Sequence, residues 1–143
     1  MAEKLISEAT VEAVWQEVAE LPEAKALKEM NRINKAQPAL VAYVMARTEG
    51  LSEDASELSV YLLLVVSRIF ETHFGKLKKV DVKMVTSLER MESTDGEDAQ
   101  AVVMALLEDC IFDEDAEVEL SAEEQDKIFS ALRVVVEALN SAA

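Results

Sequence analysis

LSVYLLLVVSRIFETHF, residues 58–74, is the most apolar window of this 143-residue chain, and its reading decides the fold. Gly50 stands before it and Gly75 after it. Ser52 suits an N-cap, and Glu53 and Asp54 suit the positive end of a helix dipole. Gly75 suits a left-handed C-terminal position, with Lys76, Lys78 and Lys79 beyond it at the negative end. The window therefore predicts a buried helix over about residues 53–74. Its unbroken apolar run, Val60 to Val66, is far shorter than the roughly 20 residues a membrane span needs. Arg68 and Glu71 follow at once. A strand reading of VYLLLVV is open on periodicity alone, but the length and the caps favour helix. Leu58, Leu62, Val65 and Ile69 form one seam, which Tyr61, Val66, Phe70 and Phe74 widen. Leu63 and Leu64 lie off that seam, so the helix is apolar nearly all round and is expected at the centre of a helical bundle.

Working outward, Gln37-Pro38 opens a preceding helix that reaches about Thr48 and is closed by Gly50. Its alanines Ala39, Ala42 and Ala46 match a line of serines, Ser56, Ser59 and Ser67, in the apolar helix. We expect an antiparallel hairpin in which these small residues allow close approach; the alternative is that the alanines face solvent. A first helix begins near Ser7 or Thr10, with Val11, Val14, Trp15, Val18 and Leu21 on one face. Pro22 ends it and opens a second, about Glu23 to Ala36, whose thin apolar face is Leu27, Met30 and Ile33. Downstream, Asp81 caps a short helix to about Met91, ESTDGED (residues 92–98) reads as a loop, and a helix from about Glu97 to Ile111 buries Val102, Val103, Leu106 and Leu107. Ser121 and Glu124 form a capping box. Behind it Ile128, Leu132, Val135 and Leu139 line one face, with Phe129 and Val136 beside them. The expected architecture is all-α: one domain over residues 1–143, a bundle of about six to seven helices around a central apolar helix.

Charge is unevenly placed within a net of −15. Residues 1–21 hold one basic and five acidic side chains, residues 22–90 eleven and nine, and residues 91–143 two and fifteen. A chain this anionic is not expected to bind nucleic acid, whose phosphates it would repel. Against this background Lys25, Lys28, Arg32 and Lys35 form one basic stripe at helical spacing. It reads either as a solvated face or as a docking stripe for an acidic partner, such as another copy's C-terminal third. Trp15 reads as a core or interface anchor. Residues 1–10 lack the apolar core of a signal peptide, and Cys110 is the single cysteine, so the expected location is cytoplasmic, without disulfides.

Motifs for chemistry are scarce. There is no Gly-rich phosphate loop, no nucleophile elbow and no Cys-x-x-Cys. His73 and Cys110 could form a nucleophilic pair only if the fold joined them, and Cys110 reads as a small buried residue. The Glu71-Thr72-His73 spacing does not fit a di-metal carboxylate bundle. Asp113, Asp115, Glu117, Glu119, Ser121 and Glu124 occupy the ligand positions of a calcium loop, but Val118 stands where its sharp turn wants Gly, and the capping box competes for Glu124. No catalytic, cofactor or metal residues are assigned. The expectation is a non-catalytic protein with an interaction or assembly role, favouring a homodimer. It would act through an apolar face (Trp15, Tyr43, Met45 and the Leu63/Leu64 edge) and separated charged surfaces, without nucleic acid or membrane. Three alternatives stand beside it: a bundle that binds or senses a small apolar ligand, an enzyme with an unrecognised site, and an acidic decoy of nucleic acid.

Overall fold

Several helices begin where a side chain satisfies a free backbone group. The computed structural model describes residues 5–90, 100–113 and 120–143. Among them are seven helices and no strand: α1 (Glu8–Ala19), α2 (Glu23–Ala36), α3 (Pro38–Arg47), α4 (Glu53–Phe74), α5 (Val82–Arg90), α6 (Ala101–Ile111) and α7 (Ala122–Ala142). Ser7 Oγ accepts from the Thr10 amide at 3.2 Å, Ser52 Oγ from Ala55 at 3.2 Å and Asp81 Oδ1 from Met84 at 2.8 Å. Each satisfies one of the orphan donors of a first turn. Pro38 occupies the start of α3, and Pro22 is the N-cap of α2 rather than its first residue. Gly50 and Gly75 take positive φ angles of 86° and 81°, which let the chain turn into and out of α4 where an L side chain would be strained.

The centre belongs to two helices. α4 and α7 each bury ten residues. α1, α2 and α3 pack on α4, whereas α3, α5 and α6 pack on α7, and α4 and α7 pack on each other. Sequence reading assigned the centre to residues 53–74 alone and gave α7 a single apolar face. In fact α7 also buries Ala131, Val134, Ala138 and Ala142.

The starts of the two central helices are tied to each other, and the end of α7 is tied to the segment that follows α4. At the start, the capping box closes α7: Ser121 Oγ accepts from the Glu124 amide, and Glu124 Oε1 accepts from the Ser121 amide, both at 3.1 Å. Glu124 Oε2 accepts from the Ser52 amide at 2.9 Å, so one carboxylate serves the N-termini of both α4 and α7. These bonds, from Ser52 first and Ser121 second, hold the Glu124 carboxyl down at about 2. At the finish, the Lys78 amide donates to the Ala142 carbonyl at 3.2 Å.

Two buried amides complete the frame, and nothing in the pattern of apolar residues announced either. Gln37 Nε2 donates to the Lys78 carbonyl at 2.9 Å, and its Oε1 accepts from the Val80 amide at 2.8 Å, pinning the segment after α4. Gln100 Oε1 accepts from the Ile6 amide at 3.0 Å, and its Nε2 donates to Asn140 Oδ1 at 2.8 Å, joining the segment before α1 to α7.

The small-residue expectation for α3 and α4 is corrected. Leu40 and Val44 are the fully buried side chains of α3, while Ala42 and Ala46 are exposed. Ser59 turns back to donate to the Ala55 carbonyl at 2.8 Å. In α6 the buried set is Val103, Met104, Leu107 and Ile111, so Val102 and Leu106 are only half covered. The expected loop at residues 92–98 and the central calcium-loop positions Asp115, Glu117 and Glu119 lie outside the described residues.

Candidate functional site

An open groove of about 730 Å³ lies between α2, α3 and α4. α2 contributes Ala26, Leu27 and Met30, α3 contributes Met45 and Ala46, and α4 contributes Ser56, Val60, Tyr61 and Leu64. Local sequence explains why the groove stays open. Only Ile33 of α2 is fully buried, so the helix touches the bundle along a narrow line. Ala26, Ala46 and Ser56 are too short to fill the space between the axes. The small residues therefore leave a trough instead of a close helix contact. Leu27 and Met45 project into it, 61% and 55% exposed. Single exposed apolar residues are ordinary, but here two such side chains lie beside one apolar concavity.

Charge around the groove has one sign. Among the described residues its charged lining is Glu23, Glu49 and Glu57, all exposed, with no Lys or Arg. The groove wall continues into an aromatic pair: the Tyr61 ring meets Trp15 edge-on at 5.7 Å and 89°. Trp15 is half-buried and is not itself among the residues that line the groove. Burial raises the Tyr61 hydroxyl above its ordinary range, with the charge of Cys110 a smaller contribution.

The basic stripe is placed elsewhere, and part of it is already engaged. At about 100° per residue, Lys25, Lys28 and Lys35 point away from the side of α2 that carries Ala26, Leu27 and Met30. These lysines are exposed. Arg32 is not available as a free member: its Nη1 and Nη2 bond Glu71 at 2.7 and 2.9 Å, and its Nε bonds Glu29 at 2.8 Å. The Glu71 bonds, chiefly, hold its guanidinium charged beyond the ordinary range although burial opposes them. Arg68 of α4 in turn pairs with Glu17 of α1 and with Glu29 at 3.0 Å. Five side chains, Glu17, Arg68, Glu29, Arg32 and Glu71, thus form one network that holds α1 and α2 to α4.

Leu63 and Leu64, expected at an exposed edge, are buried, Leu64 deep in the lining of the groove. Tyr43 is half-buried beside the Arg47–Glu89 pair on α3 and α5 and does not line the groove; burial, then Glu89, raises its hydroxyl. Cys110 is half-buried, and burial with the charges of Asp109 and Asp113 pushes its thiol up to about 11. A thiol held neutral in this way is a poor nucleophile. His73 packs its ring edge-on against Phe74 at 4.6 Å. Both oxygens of Glu124, the residue a calcium loop would use in bidentate fashion, accept backbone amides. Among the described residues no group of three or more His, Cys, Asp or Glu side chains is placed to hold a metal, and no helix is long and apolar enough to cross a membrane.

Sequence reasoning named Met45 and Trp15 but missed the groove itself. The sequence groups Leu27 and Met30 with Ile33 as one apolar face of α2, and Glu23, Glu49 and Glu57 sit on three separate segments with no common spacing. No protein-family model, curated protein or solved structure matches the chain.

Proposed function

We propose that this protein is a non-catalytic interaction module that buries an apolar face of another polypeptide in the α2–α3–α4 groove. The observation that carries the reading is the groove: about 730 Å³, apolar along its floor, with Leu27 and Met45 left exposed beside it. A groove open along its length suits one side of a helix, whose anchors at i, i+3 or i+4 and i+7 would lie along such a trough. Met30 and Met45 supply flexible, polarizable surface that adapts to different side chains. The raised thiol of Cys110 and the engagement of Arg32, Arg68 and Glu124 in structural pairs support a role without catalysis.

Methionine-methyl NMR tests this directly. Met30 and Met45 line the groove, whereas Met84 on α5 and Met104 on α6 do not. Titration with a neutral amphipathic helical peptide should shift the methyl signals of Met30 and Met45 and leave those of Met84 and Met104 in place. Shifts at Met84 or Met104 alone, or none at all, would remove the proposal. A small apolar ligand is the second reading, favoured by a volume within the roughly 300–1,000 Å³ of ligand pockets. Native mass spectrometry separates the two: protein carrying a few hundred extra daltons supports the ligand.

A further inference from the structure

We infer that the groove's partner is a basic amphipathic helix of a different protein: a segment with apolar anchors along one side and Lys or Arg along the flanks. This rests on the groove being the docking surface and adds the chemistry of what docks there. The three charged residues that line the groove are Glu23 at the start of α2, Glu49 in the turn after α3 and Glu57 on α4. They come from three segments, so an occupant lying on the apolar floor meets a carboxylate on more than one side. The nearest basic stripe does not soften this field. Lys25, Lys28 and Lys35 point away from the groove, and Arg32 is bound to Glu71 and Glu29. The net charge of −15 adds attraction at longer range for a cationic partner.

The same charges argue against the other occupants. A second copy docking groove to groove would face Glu23, Glu49 and Glu57 with their own duplicates, and like charges brought together at an interface are costly. A fatty acid or an anionic membrane surface would meet the same repulsion. The floor from Glu23 to Met30 spans about 10 Å, two helical turns of α2. That length accommodates anchors at i, i+3 or i+4 and i+7 of the partner.

The test uses two synthetic helices about 18 residues long, enough to sustain helicity. They share the same leucine positions and carry either lysine or glutamate at every polar position. Trp15 is the chain's single tryptophan and touches Tyr61 in the groove wall, so its fluorescence reports occupancy of the complex. The lysine helix should bind saturably, one per protein, and weaken as salt rises. The glutamate helix should bind at least about tenfold more weakly, as three rim charges at a fraction of a kcal/mol each would give. Because a protein this acidic attracts any polycation, two triple variants decide the matter. E23Q/E49Q/E57Q should weaken the lysine helix about tenfold, whereas E8Q/E108Q/D126N, an equal charge change away from the groove, should weaken it about twofold or less. Equal weakening by both triples would overturn the inference, since net charge alone would then explain binding. Equal binding of both helices would overturn it too while leaving the groove as a docking surface. Binding of neither would remove both readings. A dimer in native mass spectrometry that dissociates on Leu27→Asp would assign the groove to a second copy instead.

Discussion

α7 and α2 are held to the same bundle by different forces. α7 buries ten of its residues, including Leu132 and Val135, which have no exposure at all. α2 buries Ile33 alone and is anchored by the network of Glu17, Arg68, Glu29, Arg32 and Glu71. Fastened by burial, α7 contributes none of the residues that line the groove. A helix fastened by ions can keep Leu27 and Met30 for a partner and still have a fixed position. The difference teaches where binding can reside in a small all-helical protein: on the helix whose apolar residues were not all spent on folding.

Truncating the buried side should give the largest effect. Leu132→Ala removes a fully buried side chain, and with its cavity should cost about 3 kcal/mol in urea unfolding. A loss below about 1 kcal/mol would show that α7 is not fastened by burial. On the other side, Arg68→Met severs α4 from Glu17 and Glu29. Its partly buried setting lies between an exposed pair and a sealed one, so we expect about 2 kcal/mol. Here the loss should be local. Hydrogen exchange should quicken in α2 and leave α7 protected, and the difference from wild type should shrink in about 1 M salt.

The contrast also marks what could be read from the chain beforehand. Caps were legible because they are local: Ser52 and Gly75 bound α4, Pro38 opens α3, and Ser121 with Glu124 opens α7. Periodicity gave the faces, since Val11, Val14 and Val18 are buried together in α1. It could not say whether a face is covered. Leu27 and Ile33 lie about 120° apart on the apolar side of α2, and only one of them is covered: Ile33 is 2% exposed and Leu27 61%. The second buried face of α7 is made of alanine and valine, residues that do not declare a side. Gln37 and Gln100 are polar and lie just outside helices, so only the tertiary fold shows that they are buried. The basic stripe was legible as a stripe, but Glu71, 39 residues beyond Arg32, was not legible as its partner.

Between the two extremes stands Glu124, a polar group that ties together the buried pair. Its carboxyl is depressed from an ordinary 4.5 to about 2, by Ser52 before Ser121. A group depressed on folding contributes stability that is complete above its ordinary value and is lost as pH falls through the folded one. Glu124→Gln keeps one acceptor but not two, so the variant should melt below wild type at neutral pH. The gap should be unchanged down to about pH 5 and should close as the pH approaches 2. A gap that persists at the acid end would mean that shape, not charge, makes the bridge.

The smallest change in stability is expected at Leu27, and it carries the comparison furthest. Leu27 is 61% exposed and projects from the ion-held helix into the groove. Replacing it by serine removes little buried surface, so unfolding should move by no more than about 0.5 kcal/mol in either direction. Binding should respond quite differently, because a leucine anchor desolvated by a partner is worth about 1.5–3 kcal/mol when fully buried. That corresponds to a loss of about tenfold or more in affinity for an amphipathic helix. Thermal melting and peptide titration on the same Leu27→Ser preparation therefore separate the two uses of an apolar side chain. If stability fell by 2 kcal/mol while binding held, Leu27 would belong to the core in solution, and α2 would be fastened by burial after all, like α7.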